Sequence, residues 1–314
     1  MINYKWKISP EINQLLIELE SIKFLINQLP TKQYIEEGLR THSLLKSAVY
    51  SARIEGFSDT LNSPKKESQN LLSAYHLIFS NQSPHKLSLV FIKKLHQRVL
   101  KNIISNPGKW RTEPWAIFNQ AGAAIYLAPP HFEVPELMNE YIKFINSITD
   151  HPAVKSAIAQ FIFEKIHPFA DGNGRVGRLI SAHILQKNGF GFKGQVPFEE
   201  YIDKHREDYY YFLESSTDCS GFIKYLLQAL VTKSKEYLEE LNTPDYDKPE
   251  LSLLPRRREI LEIIRNHPNC SFDFLKRRFV KVNPKTLHYD LSQLLKANFV
   301  KKLGSTRGSL YFAK

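Results

Sequence analysis

His167-Pro168-Phe169-Ala170-Asp171-Gly172-Asn173-Gly174-Arg175-Val176-Gly177-Arg178 is the stretch on which the reading of this chain turns. An imidazole titrates near neutral pH, so His167 is a candidate general base for an attacking hydroxyl. Asp171 offers hard oxygen, suited to a Mg2+ ion shared with phosphates. Gly172 and Gly174 leave backbone N–H groups open to an anion where a helix begins. Arg175 and Arg178 lie three apart on the first turn, project to one side and can fork onto phosphate oxygens. The bland alternative is a Gly-rich cap between two helices with scattered charges. Here every position has a role in one chemistry.

The flanks place this loop between two helices. Residues 152–166 put Val154, Ala157, Ile158, Phe161 and Ile162 on one stripe. Asp150 is the expected N-cap, and Pro152 sits in the first turn. The second helix is predicted from Asn173 to Lys187, ending at Asn188-Gly189. Far upstream, Ser51-Ala52-Arg53-Ile54-Glu55-Gly56 closes an apolar-periodic run. Ser51 and Glu55 share a helix face, and Gly56 can end the helix. Taken alone, Glu55 would be a solvent-facing glutamate.

The first motif resembles the Fic signature, His-x-Phe-x-(Asp/Glu)-Gly-Asn-Gly-Arg-x-x-Arg, with every specified position filled. The resemblance implies a mainly α fold and transfer of AMP from Mg·ATP to a Ser, Thr or Tyr hydroxyl of a target protein. His167 would be the base and Asp171 the metal ligand. Gly172, Asn173, Gly174, Arg175 and Arg178 would hold the nucleotide, with Asn173 at the α-phosphate. Ser51, Glu55 and Gly56 fit the family's inhibitory pattern (Ser/Thr)-x-x-x-Glu-(Gly/Asn). By that resemblance Glu55 pairs with Arg178 and puts negative charge where the γ-phosphate belongs. The motif's position matches the subclass with an N-terminal inhibitory helix, here about residues 41–56. The same glutamate could position water to remove AMP from a modified target. Gly174 stands where a phosphate-transferring relative has lysine, which favours AMP transfer.

Two further segments fit the resemblance. Trp115–Phe118 and Ala124–Leu127 flank a turn at Asn119-Gln120-Ala121-Gly122, and Pro129-Pro130 ends the second run. The segment reads as a hairpin, and the family has a flap there that clamps a target segment by strand addition. Ile117, Phe118, Ile125 and Tyr126 are its candidate target contacts. Asp208–Leu213 resembles the stretch lining the adenine site, with Tyr210 as the base contact and Leu213 beneath it. A helical aromatic stripe is otherwise core.

Length and charge describe the rest. The 314 residues suggest two or three domains. No apolar run approaches a membrane span, and the first residues lack a signal peptide's apolar stretch. Cys219 and Cys270 lie far apart without metal spacing, as expected of thiols in a reducing cytoplasm. Residues 251–314 hold 14 basic and 4 acidic residues, and the remainder 29 and 28. A basic module therefore follows a near-neutral body, joined by a polar linker over 242–250. The expected division is 1–85, an N-terminal helical region; 86–241, the catalytic core; and 251–314, the module.

That module resembles a winged helix-turn-helix. Helices are expected over Arg256–Arg265, over Phe272–Phe279 after Ser271, and after Asn283-Pro284 with Leu287, Leu291, Leu294 and Leu295 inward. A hairpin wing follows, turning at Gly304–Gly308. In that geometry Lys285, Thr286, His288 and Tyr289 would face a DNA major groove, and Lys301, Lys302 and Arg307 its phosphates; many winged helices bind protein instead, and that alternative stays open. Two other readings stay open: a DNA-binding regulator whose Fic core only senses nucleotide, and a growth-inhibiting toxin. The target protein is not legible, and a homodimer is open.

Overall fold

The computed structural model describes residues 3–29, 33–118, 124–214, 217–242, 249–267, 270–304 and 309–314. The chain divides into two compact units. The first comprises Met1–Pro30, Ser43–Asp59 and Lys65–Thr243; the second comprises Thr31–His42, Thr60–Pro64 and Pro244–Lys314. Most of the expected N-terminal region thus packs with the core in one unit, and two short pieces of it cluster with the C-terminal residues.

The first unit is helical. Its elements run α1 (Pro10–Gln28), the later part of α2 (Gln33–Ile54), α3 (Lys66–Ile78), α4 (Leu89–Val99), a hairpin of β1 (Ala116–Phe118) and β2 (Ala124–Leu127), α5 (Val134–Ser147), α6 (Pro152–Ile166), α7 (Asn173–Lys187), α8 (Glu199–Lys204), α9 (Arg206–Glu214) and α10 (Ser220–Leu241). The helix expected over about 41–56 therefore begins earlier, at Gln33, and ends at Ile54.

α6 is the centre of this unit. The expected stripe is fully buried, and so are Ser156 and Gln160 on other faces. A helix covered all round belongs in the middle of a bundle. Two of its acceptors face α7: Ser181 Oγ lies 2.9 Å from the Ser156 carbonyl and 2.8 Å from Gln160 Oε1, which share its one proton. These bonds tie α7 to α6 beside the loop that joins them. The N-cap of α6 is His151, whose Nδ1 accepts from Ala153 N–H at 3.1 Å. The expected cap, Asp150, instead accepts from Trp6 Nε1 at 3.5 Å. His151 is one residue closer and reaches the free N–H first.

In the hairpin, Ala116 pairs with Leu127 and Ile117 with Tyr126. An irregularity between Ile117 and Phe118 brings Phe118 opposite Ala124. The expected turn at 119–122 lies outside the described residues, as do the side chains of Ile117, Phe118 and Ile125.

The second unit contains α11 (Pro255–Asn266), β3 (Cys270–Ser271), α12 (Phe272–Arg278), α13 (Pro284–Lys296), β4 (Val300–Leu303) and β5 (Leu310–Ala313). Ser271 and Asn283 cap α12 and α13 through their side chains, as their sequence positions lead one to expect. The strands form an antiparallel sheet in the order β3-β5-β4. β3 is too short to show a period and was not legible. Ile260, Leu261, Ile264, Leu287, Leu291, Leu294, Val300 and Tyr311 make the core, with Leu295 partly buried against it. Asp290 is buried and pairs with Arg256 Nε at 2.5 Å and Arg257 Nε at 3.0 Å. Two of the module's cations thus share one carboxylate, which offsets one of their two charges. Residues 243–248 of the expected linker, and 305–308 of the expected turn with Arg307, lie outside the described residues. Among the described residues no helix is long and apolar enough to cross a membrane.

Candidate active site

His167 takes the C-cap of α6 in a left-handed conformation, φ 48° and ψ 59°. That conformation is uncommon outside glycine and turns the chain sharply off the helix. Its Nδ1 lies 3.3 Å from the Glu164 carbonyl. A carbonyl only accepts, so Nδ1 carries the proton and Nε2 keeps its lone pair. Trp115 stacks on the ring, with centroids 3.5 Å apart and planes at 21°. Burial pushes the His167 pKa down to about 4; the Glu164 carbonyl opposes this and Arg111 adds to it. His167 is therefore neutral at pH 7. The same burial makes it a weaker base than free imidazole.

Three side chains shape the loop after it. Asn173 Nδ2 donates to Phe169 O at 2.8 Å, and its Oδ1 accepts from Phe169 N at 2.9 Å. Both ends of this buried amide are tied to the loop, and Nδ2 has a second N–H besides the one given to Phe169 O. His96 is buried under the loop: Gly108 N–H donates to its Nδ1 at 2.7 Å, so Nε2–H donates to Asp171 O at 3.0 Å. Its ring stacks on Phe169 at 3.7 Å. Arg111 donates to the carbonyls of His167, Glu113 and Pro129. It thereby fastens the segment entering the hairpin to the base-bearing residue.

The anion cradle is at the start of α7. Gly172, φ 80°, is the N-cap. Arg175 donates from Nη2 to Asp171 Oδ1 at 2.7 Å, while its buried Nε and Nη1 have no partner. Unpaired guanidinium donors are costly to bury, and they suit phosphate oxygens. The Asp171 side chain is about half exposed (55%). Among the described residues no cluster of three or more His, Cys, Asp or Glu could hold a metal alone. One exposed carboxylate beside a phosphate cradle is a donor set that fits Mg2+, which takes its other oxygens from phosphates and water.

Arg178 is fully buried, and four of its five N–H donors have partners. Nε donates to Ser51 Oγ at 2.9 Å; Nη2 donates to Ser51 O at 2.9 Å and Glu55 Oε1 at 2.7 Å; Nη1 reaches Tyr209 Oη at 3.4 Å. Burial pulls its pKa down, but Glu55 foremost, with Tyr209, outweighs this and holds it above the usual value. α2 ends at Ile54, and Gly56 takes φ 90° beyond it. A Cβ on Gly174 would lie 2.3 Å from Glu55 Oε1. The Glu55 carboxylate thus fills the space over the start of α7.

A cavity of about 270 Å³ opens beside these groups, lined by His167, Trp115, Tyr126, Glu55, Gly174, Tyr210 and Leu213 among others. It brings together His167, Glu55 and the candidate adenine contacts Tyr210 and Leu213. Tyr210 Oη donates to Ile54 O at 3.1 Å. Burial first, and Glu55 second, push the Tyr210 pKa up to about 12. Tyr126 Oη donates to Lys165 O, which pins β2 to the end of α6.

Sequence reasoning missed Trp115, Arg111, His96, Tyr209 and Glu164. Tyr209, not Tyr210, is the buried ring of the aromatic run, and Gln160 Nε2 donates to its hydroxyl at 2.9 Å. Glu164 lines the cavity, and burial, then Glu55, raises its pKa to about 8. Its Oε1 has no partner. The available signal was that Glu164 sits on the buried helix three residues before His167.

In the second unit Lys285, Lys301 and Lys302 are exposed and Thr286 is half-buried. His288 stacks on Phe272 with centroids 3.7 Å apart and planes at 8°. One face of its ring is therefore already covered. Lys301 and Lys302 are neighbours on β4 and point to opposite sides of the ribbon.

Residues 86–185 match the Fic/DOC family. A probable protein adenylyltransferase of Aquifex aeolicus is 37% identical over 105 residues, 32% of this chain and 31% of that protein. The protein adenylyltransferase Fic of Drosophila melanogaster is 29% identical over 43% of this chain and 26% of its own length. The chain thus spans about a third or less of these relatives. A crystal structure of a Fic family protein from Desulfovibrio desulfuricans G20 shares the fold, with a TM-score of 0.62 at 22% identity over 98% of this chain and 97% of that one. A Fido domain-containing protein of Dictyostelium discoideum is 32% identical over 147 residues, 45% of this chain and 99% of that protein. With the loop, the cradle and nearly the whole of that relative matched, the chain belongs to the Fic/DOC family.

Proposed function

We propose that the protein is an autoinhibited protein adenylyltransferase, moving AMP from ATP to a hydroxyl of a target protein and to itself. One observation carries this reading: a neutral His167 with its Nε2 free stands in one site with an arginine, Arg175, whose buried donors lack partners. The relatives' names support the reaction class.

The phosphates of ATP would lie over Gly172–Gly174, with Arg175 donating from Nε and Nη1. Bound Mg2+, held by Asp171, would neutralise phosphate charge. A target hydroxyl gives its proton to His167 Nε2. Its oxygen bonds to the α-phosphorus, the bond to the bridging oxygen breaks, and pyrophosphate leaves with that electron pair. Positioning and preorganised donors supply most of the rate. The hairpin supports strand-wise capture of the target segment, beside Trp115 and Tyr126. Glu55 holds Arg178 and blocks the γ-phosphate until it moves; water positioned by Glu55 for AMP removal belongs to the same reading.

The C-terminal module is proposed as a winged helix that contacts DNA through Lys285, Thr286, Tyr289, Lys301 and Lys302, with His288 as an edge-only contact. Its net charge and its three helices with a β-ribbon support this. DNA affinity that falls steeply with salt would fit; salt-independent or absent binding would remove it.

The test of the main reading is intact-mass analysis after incubation with Mg·ATP. An AMP adduct that grows in Glu55→Gly and vanishes in Glu55→Gly/His167→Ala supports base and inhibitor together. No adduct on the protein or on added lysate proteins turns the reading to a nucleotide sensor.

A further inference from the structure

A second polar cavity, of about 150 Å³, lies in the first unit away from the residues of the candidate active site. Its wall includes His85, Lys86, Lys155, His183 and Lys187, and no carboxylate. Engineered cavities of this volume hold a benzene-sized molecule, so a tetrahedral oxyanion has room.

Ordinary folding needs explain only part of this cluster. Lys187 Nζ donates to Ser83 O at 2.9 Å, and Lys155 Nζ donates to Ile148 O at 3.1 Å. Each lysine thus satisfies a carbonyl, and Lys187 in the last turn of α7 also suits the helix dipole. Neither carbonyl cancels a charge. Among the described residues Lys86, Lys155 and Lys187 have no acidic partner. The body outside 251–314 has nearly equal numbers of basic and acidic residues, so five basic side chains without one acid are not its average surface.

His183 is the independent observation. It is 1% exposed, and Phe91 packs on its ring with centroids 4.7 Å apart. Nδ1 is 3.2 Å from Ser83 Oγ, while the buried Nε2 has no partner. Ser83 Oγ can either donate to or accept from Nδ1; in the tautomer where it donates, Nε2 carries a proton that nothing accepts, and this is the tautomer an anion would select. A buried donor left unmade costs about 1–3 kcal/mol. Burial foremost, then Lys187 and His85, push the His183 pKa down to about 4. Burial, then Lys86, also lowers Lys155. An anion in the cavity would accept from Nε2–H and bring the missing negative charge.

We infer that this cavity binds a phosphate-class oxyanion, free or as the terminal phosphate of a small metabolite, through His183, Lys86, Lys155 and Lys187. This inference does not depend on the proposed AMP transfer.

The test is titration of the full-length protein with inorganic phosphate in chloride buffer, read by NMR of the histidine side chains. His183 reports this cavity and His167 the active site, so the two are separated in one experiment. Saturable movement of the His183 signals is expected. Lys86→Glu, at an exposed position, should weaken it by roughly tenfold or more. A parallel titration with phenyl phosphate distinguishes sources: equal response means a terminal phosphate is accepted, and no response means the free ion is the ligand. His183 signals that stay still while His167 shifts, or equal affinity in wild type and Lys86→Glu, would overturn the inference.

Discussion

Glu55 Oε1 lies 2.7 Å from Arg178 Nη2, which joins the residue after α2 to the second turn of α7. The arginine is fully buried and the glutamate about a quarter exposed (27%). A hydrogen bond to a charged group contributes about 1.5–3 kcal/mol. Freeing Arg178 in Glu55→Gly should therefore raise the rate of self-modification about ten- to hundred-fold. Ser51→Ala removes one donor–acceptor pair but leaves Glu55, so it should activate less. Initial rates of AMP incorporation decide this; equal rates in wild type and Glu55→Gly would refute the inhibitory role.

The base predicts an unusual pH profile. His167 is held near pKa 4 by burial, so kcat/KM in the Glu55→Gly background should lack a histidine limb near 6.5. Trp115→Ala uncovers the ring and should move the acid limb upward toward 6.5, with a lower maximum. An acid limb near 6.5 in the protein with Trp115 intact would contradict the buried setting.

Glu164 makes a stability prediction with a defined sign. Its folded pKa, about 8, lies above the ordinary 4.5. Between those values the folded protein holds a proton that the unfolded chain has lost. The carboxyl's contribution is therefore full below about 4.5 and is lost as pH rises through about 8. Glu164→Gln cannot ionise. Its urea-unfolding free energy should gain on wild type steadily from pH 5 to pH 8.5. A constant difference across that range would show that Glu164 is ionised in the fold.

Asn173→Ala should behave as a loop mutation. It orphans the N–H and C=O of the buried Phe169, at about 1–3 kcal/mol each. Melting temperature and kcat should fall together. Loss of ATP affinity with unchanged stability would instead mean that the amide touches nucleotide directly.

Asp290 carries the equivalent test in the second unit. Asp290→Ala leaves Arg256 and Arg257 without their buried partner and should cost roughly 3–5 kcal/mol. Limited proteolysis should then cut within 251–314 first. Cleavage unchanged from wild type would show the pair to be dispensable.

Much of the architecture was legible because it is local. Apolar spacing placed α6, the Gly-rich loop and the Asn188-Gly189 stop placed α7, and Ser271 and Asn283 announced the caps of α12 and α13. The α6 cap was misread because His and Asp compete at adjacent positions, and reach decides between them. β3 was missed because two residues carry no pattern; its existence depends on β5 arriving beside it.

Sequence alone determined which groups meet within one turn of chain: His167, Asp171, Gly172, Gly174 and Arg175 are bound to one loop by covalent proximity. It also supplied the match of Glu55 to Arg178, though only through family resemblance. Tertiary structure decided what those groups are able to do. Trp115 and burial set the protonation of His167, His96 and Arg111 fix the loop's carbonyls, and burial together with the nearby Glu55 raises the pKa of Glu164. Burial and long-range pairing depend on which distant segments pack together, and no local spacing encodes the dielectric that results.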